Sequence, residues 1–446
     1  MSGSRLLPAG ACLLVSLAVH AADPSGTGPL RGTGDLGIAV ERANGSLQWL
    51  DTTKRTSLGR IEGLGDLSHA SAVFSRDARY AFVFGRDGGL TKVDVLTGRI
   101  VKRVIQSGNS IGGAISQDGR FIAAANYTPG GVKIFSTDTL EPVADIPAVS
   151  EAIGRASKVV GIEDAPGNRF VFSLFDAGEI WLADLSDNPA RPKITRYANI
   201  GREPYDALVT QDGRWYVAGL FGENGLAVLD LWHPEAGVKR VMADYGRGEE
   251  KLPVYKMPHL ETWAVAGNLA FIPGVGRHEV VVVDISTWQK VGAIPVAGQP
   301  VFVMAEPTGR RLWVNFAFPH YDTVQVIDVE SRRIVRTLKP GRTAAEGGAV
   351  PCEARCDPVA DGGRPTTAVG GHSRPVASPK GPLLPARVGP VLHMEFTPRG
   401  EQVWMSVRDA NRIDIYDTAS FSKIGEIAAQ EPSGIFFTVR AHRLGL

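Results

Sequence analysis

One plan recurs along most of the chain: a short apolar strand, a polar turn, a second apolar strand, a third ending in Asp, then a connector. Seven stretches follow it, and residues near the C-terminus supply the start of an eighth. The turns are clearest at Gln117-Asp118-Gly119-Arg120 and Gln211-Asp212-Gly213-Arg214. Third strands close alike, as Lys92-Val93-Asp94, Leu182-Ala183-Asp184, Val228-Leu229-Asp230, Val282-Val283-Asp284, Val326-Ile327-Asp328 and Ile415-Tyr416-Asp417. A unit of roughly 40 residues made of strands and turns cannot bury its apolar faces alone, and stacking such units around an axis gives a β-propeller.

The expected fold is all-β: an eight-bladed β-propeller over residues 35–446. Its first blade has outer strands at Ile38-Ala39-Val40 and Leu47-Gln48-Trp49-Leu50-Asp51 but no inner strand of its own. Ser433-Gly434-Ile435-Phe436-Phe437-Thr438 matches a blade start, so the C-terminal strand is expected to complete the first blade and close the ring, removing an open sheet edge. The other blades begin near His69, Ile111, Lys158, Tyr205, His259, Val301 and Leu392. Runs such as Val280-Val281-Val282-Val283 suit strands buried on both faces.

Residues 342–389 break the pattern: they hold no Phe, Trp, Tyr or Ile and are dense in Gly, Pro, Ala and Arg. This reads as a disordered insertion, because a loop that long is foreign to a compact domain. Cys352, Cys356 and His372 lie within it, too loosely spaced to read as a metal site.

At the other end, Arg5 precedes an apolar run from Leu6 to Val19, followed by Ala21-Ala22. Residues 1–21 read as a cleaved secretory signal, and 22–34 as a flexible lead-in. The run is shorter than a membrane span of about 20 residues, and Cys12 lacks the bulky residue usual ahead of a lipid-anchored cysteine. A periplasmic protein is expected, with no transmembrane span in the mature chain. Lys and Arg number 48 against 47 Asp and Glu, which gives no reason to expect nucleic acid as a partner.

Registering the blades on their turns puts His69, Tyr205, His259 and His393 at inner-strand entrances, around one mouth of the axial channel. Neutral imidazoles and a phenol there suit a metal or a metal-centred macrocycle, although any one such His is as readily a hydrogen-bonding group of the scaffold. Arg86-Asp87, Asn126-Tyr127, Lys158, Arg202, Tyr255-Lys256, Asn315 and Arg408 fall on loops toward the same mouth, where Arg and Lys suit ligand carboxylates. Trp215, Trp313 and Trp404 follow turns at similar positions and read as packing residues. Gly-x-Ser-x-Gly does not occur, and without Cys-x-x-Cys-His the chain has no motif for covalently attached haem.

Several segments are more specific. Leu67-Ser68-His69-Ala70-Ser71, Gly85-Arg86-Asp87-Gly88-Gly89, Asn109-Ser110-Ile111-Gly112-Gly113-Ala114, Leu231-Trp232-His233-Pro234-Glu235, Tyr255-Lys256-Met257-Pro258-His259, Asn315-Phe316-Ala317-Phe318-Pro319 and Leu392-His393-Met394-Glu395-Phe396 closely resemble the NirF family. These are periplasmic haem d1 biosynthesis proteins, themselves similar to the haem d1 domain of the periplasmic nitrite reductase. The resemblance implies haem d1 or its late precursor as ligand or substrate, with His69 as iron ligand or acid/base group. It implies that Tyr205 and His259 line the pocket as catalytic candidates, that Arg86 and Lys158 hold carboxylates, and that His393 belongs to the binding set. Tyr205 falls where the reductase has a distal His, so nitrite chemistry is not implied. The resemblance leaves two roles, a biosynthetic enzyme or a non-catalytic tetrapyrrole carrier, with nitrite reductase or other haem d1 biosynthesis proteins as partners.

Overall fold

Eight four-stranded antiparallel sheets account for nearly all the secondary structure of the chain, seen in a computed structural model that describes residues 32–245, 264–317, 319–340 and 389–443. Blade 1 spans residues 36–61, and blades 2 to 8 span 71–105, 109–146, 159–197, 204–241, 264–295, 300–338 and 391–428. First strands of neighbouring blades meet: Ser71–Phe74 touches Asn109–Ile115, which touches Val159–Ala165, which touches Pro204–Val209. In blade 1 the innermost strand is Pro432–Phe437, paired antiparallel with Leu36–Glu41. The eight-bladed ring and its closure by the C-terminal strand are thus as the sequence indicates. The expected signal over residues 1–21 and most of the expected insertion over 342–389 lie outside the described residues. Among the described residues no helix is long and apolar enough to cross a membrane.

The repeated Asp has a structural reason. It ends the third strand in seven of the eight blades, blade 3 ending in Ser136 instead, and caps the following turn: the Asp94 carboxylate accepts from the Leu96 amide at 2.9 Å, Asp184 from Ser186 at 2.9 Å and Asp284 from Ser286 at 2.8 Å. Asp328 and Asp417 do the same for Ser331 and Ser420. The earlier turn uses an Asp and a Gly together. Asp118 accepts from the Arg120 amide at 3.0 Å, while Gly119 takes φ +73°, a conformation that costs a Cβ-bearing residue.

Packing follows from strand alternation. The described core divides into eight apolar clusters, one at each junction between neighbouring blades. In blade 6, Val281 and Val283 join the cluster shared with blade 5, whereas Val280 and Val282 join the one shared with blade 7. Both faces of the strand are therefore buried, which is why its sequence is a continuous apolar run. Trp313 and Trp404 are fully buried within such junctions.

Polar groups fasten the ring where it closes. At one end, Glu41 of blade 1 is fully buried and takes a double hydrogen bond from Arg60 at 2.6 and 3.0 Å, with a third from the Gln430 amide at 2.9 Å. At the other end, Arg76 of blade 2 donates to the carbonyls of Ala441 and Arg443 at 3.1 and 3.2 Å. It also donates to the Ile115 carbonyl of blade 3 at 3.0 Å and the Asp164 carboxylate of blade 4 at 3.1 Å. One guanidinium thus ties three blades to the C-terminal turn.

Two outcomes are expected. Burial pushes the Glu41 carboxyl up, but Arg60, the Gln430 amide and Ser46 outweigh it and hold it below the ordinary range. Asp284 and Asp328 are held low, first by the Ser286 and Ser331 hydroxyls, and Asp417 first by the Ser420 amide. The unfolded chain binds protons more tightly at these groups, so their stabilising contribution is complete above their unfolded values of 3.8 and 4.5. It is lost as the pH falls through the depressed folded values. The melting temperature should therefore stay level between about pH 7 and pH 5 and fall steeply below about pH 4 in thermal scans. Separately, Arg76→Ala should lower stability by about 2–4 kcal/mol, seen as a lower urea midpoint with unchanged slope.

Candidate functional site

Successive strands of a blade run antiparallel, so three kinds of element share one end of the ring: the start of each first strand, the turn between second and third strands, and the connector from the preceding blade. Lys158 immediately precedes its first strand, His69 stands two residues before its own, and Tyr205 and His393 lie within theirs. Arg86 sits in the turn after Tyr80–Phe84, and Arg408 in the turn after Gln402–Val407. All of these residues therefore belong to one end, here termed the mouth. The first strands are irregular there: register shifts fall between Val160 and Glu163, Pro204 and Ala207, Pro300 and Val303, and Val391 and Met394. Such bulges re-aim side chains beside a site.

The segment before Ser71–Phe74 fixes His69 and Arg86 together. Leu67 is buried in the cluster between blades 1 and 2. The Ser68 amide donates to Asp66 Oδ1 at 2.8 Å, the Arg86 amide to the Asp66 carbonyl at 2.8 Å, and the Asp66 amide to Asp87 Oδ2 at 3.2 Å. Arg103 braces both sides, donating to Asp87 at 2.5 Å and to the Leu64 carbonyl at 3.0 Å. His69 is left half-buried at the strand entrance. Arg86 is half-buried too, and its guanidinium pairs with no carboxylate among the described residues.

Blades 4 and 5 bring Lys158 and Tyr205 to the same place. The Lys158 amide donates to Asp176 Oδ2 at 2.9 Å, while its ammonium lies 3.8 Å from Asp176 Oδ1 and 4.9 Å from the Phe175 ring centroid. Phe175 in turn meets the ring of Tyr205, with centroids 6.1 Å apart and planes at 76°. Tyr205 is set by a glycine: Gly161 takes φ +53°, and a Cβ there would lie 2.8 Å from the Ala207 nitrogen and 2.9 Å from the Tyr205 carbonyl. That close approach seats the first strand of blade 5 against blade 4.

His393 is embedded more deeply, at 8% exposure. Its Nδ1 accepts the Ile435 amide at 3.2 Å, and the rings of Phe302 and Phe436 pack on it at 5.8 and 5.6 Å. Accepting through Nδ1 places the proton of the neutral ring on Nε2. Asn126 pairs with Gln106 at 2.7 and 3.1 Å, and Asn315 bridges the Phe302 amide and the Val391 carbonyl at 2.8 and 2.7 Å. These two asparagines thus work as bracing between strands. By contrast, the buried amide oxygens of Asn109 and Gln299 have no hydrogen-bond partner among the described residues, and both residues stand at first-strand entrances, in blades 3 and 7 of the ring. A buried acceptor without a partner costs about 1–3 kcal/mol.

His259, Tyr255 and Lys256 lie outside the described residues. Among the described residues no group of three or more His, Cys, Asp or Glu side chains is arranged to hold a metal ion. What this mouth can offer is an imidazole and a guanidinium on blade 2, the guanidinium without a carboxylate partner among the described residues, and an ammonium, a phenol and aromatic faces two to three blades away. Sequence reasoning missed Phe175 and Phe221, which occupy the equivalent turn position in blades 4 and 5. Their signal was the shared place directly after Leu174 and Leu220, where a strand ends.

Comparison with known proteins bears on this geometry. The family described as Cytochrome D1 heme domain matches residues 31–441. The chain is 54% identical over 443 residues to Protein NirF of Pseudomonas aeruginosa, which covers 99% of this chain and 100% of that one. It is 55% identical over 419 residues to Protein NirF of Stutzerimonas stutzeri, covering 94% and 95%. Among solved structures, dihydro-heme d1 dehydrogenase NirN in complex with DHE shares the fold, with a TM-score of 0.69 and 23% identity over 92% of this chain and 76% of that one. A profile matched from the first blade to the last, and relatives more than half identical end to end, make the chain a member of the cytochrome D1 heme domain family and, within it, of the NirF proteins.

Proposed function

We propose that the protein binds haem d1, or its late precursor, on the propeller axis at the mouth and acts on it during maturation of the nitrite reductase cofactor. The observation that carries this reading is that His69 and Arg86 stand half-buried at the same end of blade 2, the guanidinium having no carboxylate partner among the described residues. An anionic macrocycle with iron at its centre answers both groups. His69 serves as iron ligand or as acid/base group. Arg86 and Lys158 hold peripheral carboxylates through charge-assisted hydrogen bonds, which Arg forms in bidentate fashion. Tyr205 and His259 line the pocket as catalytic groups, the phenol able to donate a proton toward the ring edge. His393 contributes from within the wall, with its proton on Nε2. The amide oxygens of Asn109 and Gln299, without a partner among the described residues, suit the polar periphery of the same ligand. The ligand sits by non-covalent contacts. In this reading the chain acts in the periplasm after loss of residues 1–21, with nitrite reductase or other haem d1 biosynthesis proteins as partners.

The neighbour named as a dihydro-heme d1 dehydrogenase makes the dihydro precursor of haem d1 the first compound to try. Mixed with the protein lacking residues 1–21, it should give a fast absorption shift followed by a slower second change, with altered tetrapyrrole on extraction. A single shift with unchanged tetrapyrrole recovered would make the protein a carrier that hands its ligand on. His69→Ala should weaken haem d1 binding or move its absorption bands; identical spectra and affinity would remove His69 from the iron.

A further inference from the structure

The rings of Phe175, Tyr205 and Phe221 form a closed triangle at the mouth, with centroids 6.1, 6.1 and 5.9 Å apart and planes inclined at 76°, 52° and 42°. Phe175 and Phe221 come from the turns after the second strands of blades 4 and 5, and Tyr205 from the first strand of blade 5. None of the three belongs to the apolar cluster that seals the junction between these blades. That junction is closed by residues such as Val171, Leu182, Ala207 and Tyr216, with Leu174 and Leu220 buried directly before the two phenylalanines. The three rings instead stay partly exposed, where aromatic surface is costly unless something covers it. The backbone fixes them: the Phe175 amide donates to the Lys158 carbonyl at 3.0 Å, and the Phe221 amide to the Glu203 carbonyl at 2.8 Å. The Lys158 ammonium stands over the Phe175 ring, 4.9 Å from its centroid.

We infer that this corner is a stacking wall for the ligand: Phe175 and Phe221, inclined at 52° to each other, meet the flat apolar surface of a tetrapyrrole one by its face and the other by its edge, and Lys158 meets an acidic substituent at the macrocycle's rim. The inference rests on the tetrapyrrole reading above and adds positioning residues to it. Flat conjugated rings gain from stacking on aromatic faces without regard to any metal at their centre. The wall therefore orients the macrocycle independently of His69, and fixes which edge of it lies toward blades 4 and 5.

That independence supplies the test. Haem d1 and its demetallated form are titrated into the wild-type protein, the Phe175→Leu/Phe221→Leu double variant and His69→Ala. Leucine keeps apolar bulk at two partly exposed positions, so the fold is preserved while the ring faces are lost; circular dichroism melts verify this for each variant. The double variant should bind both forms about tenfold more weakly, the scale of one or two lost aromatic stacks. His69→Ala should weaken the iron form alone. Lys158→Met should weaken the free acid and leave the methyl ester of the demetallated ligand unaffected. Wild-type affinity for both forms in a folded double variant would overturn the stacking wall. Failure of the wild-type protein to bind either form would instead overturn the tetrapyrrole reading itself.

Discussion

Every blade has two apolar faces and can bury both of them only by having a neighbour on each side. This requirement dictates the rest of the structure. A strand that sends Val280 and Val282 one way and Val281 and Val283 the other cannot end a row, because one face would then stand in water. The row must bend round until its ends meet, and the cluster holding Ala39, Leu50, Trp404 and Phe437 is where they meet. The ring is closed by the same packing that joins any two of its members, with Pro432–Phe437 supplying the strand that blade 1 lacks. Buried charge then holds the seam: Glu41 with Arg60 on one side, Arg440 with Glu395 at 2.9 and 2.6 Å on the other.

With stability assigned to the junctions, the mouth is released from packing duty. Its residues can be polar or half-covered without loosening the fold, and the first strands can carry bulges where their starts converge. The bracing there is local and mostly between backbone and carboxylate, as in the chain of contacts from Leu64 through Arg103, Asp87 and Asp66 to the entrance at His69. A site assembled from many blades also has its components held at fixed angles, since moving one group relative to another would shear an apolar junction.

Much of this was legible in the chain itself. The Asp-ended strands, the Asp-Gly turns and the displaced final strand each reflect a local rule of hydrogen bonding or alternation, so each leaves a mark at a fixed spacing. The same register brought His69, Arg86, Lys158, Tyr205 and His393 to one end. What it could not supply was partnership. Asp87 is tied to Arg103 while Arg86 next to it is not, and sixteen residues separate the pair without a motif to announce it. His393 was placed at the mouth, but its Nδ1 is spent on an amide 42 residues away. No motif marks Phe175 and Phe221, because a hydrophobic residue after Leu174 or Leu220 gives no hint that burial stops there. A short ladder of Val149–Ser150 with Arg155–Ala156, ahead of Lys158, also had no counterpart in the repeat.

The displaced strand has a consequence in time. Glu41 and the Gln430 amide that caps it are 389 positions apart, and no intermediate arrangement of blades brings them together early. Contacts of such sequence separation form slowly, since the loop they close is nearly the whole chain. Until they form, Leu36–Glu41 presents a row of unpaired amides and carbonyls, and half of the blade's apolar surface stands open beside it. Blade 1 is therefore the first to be made and the last to be finished, and during that interval its bare edge is the part of the molecule most exposed to pairing with a strand of another chain.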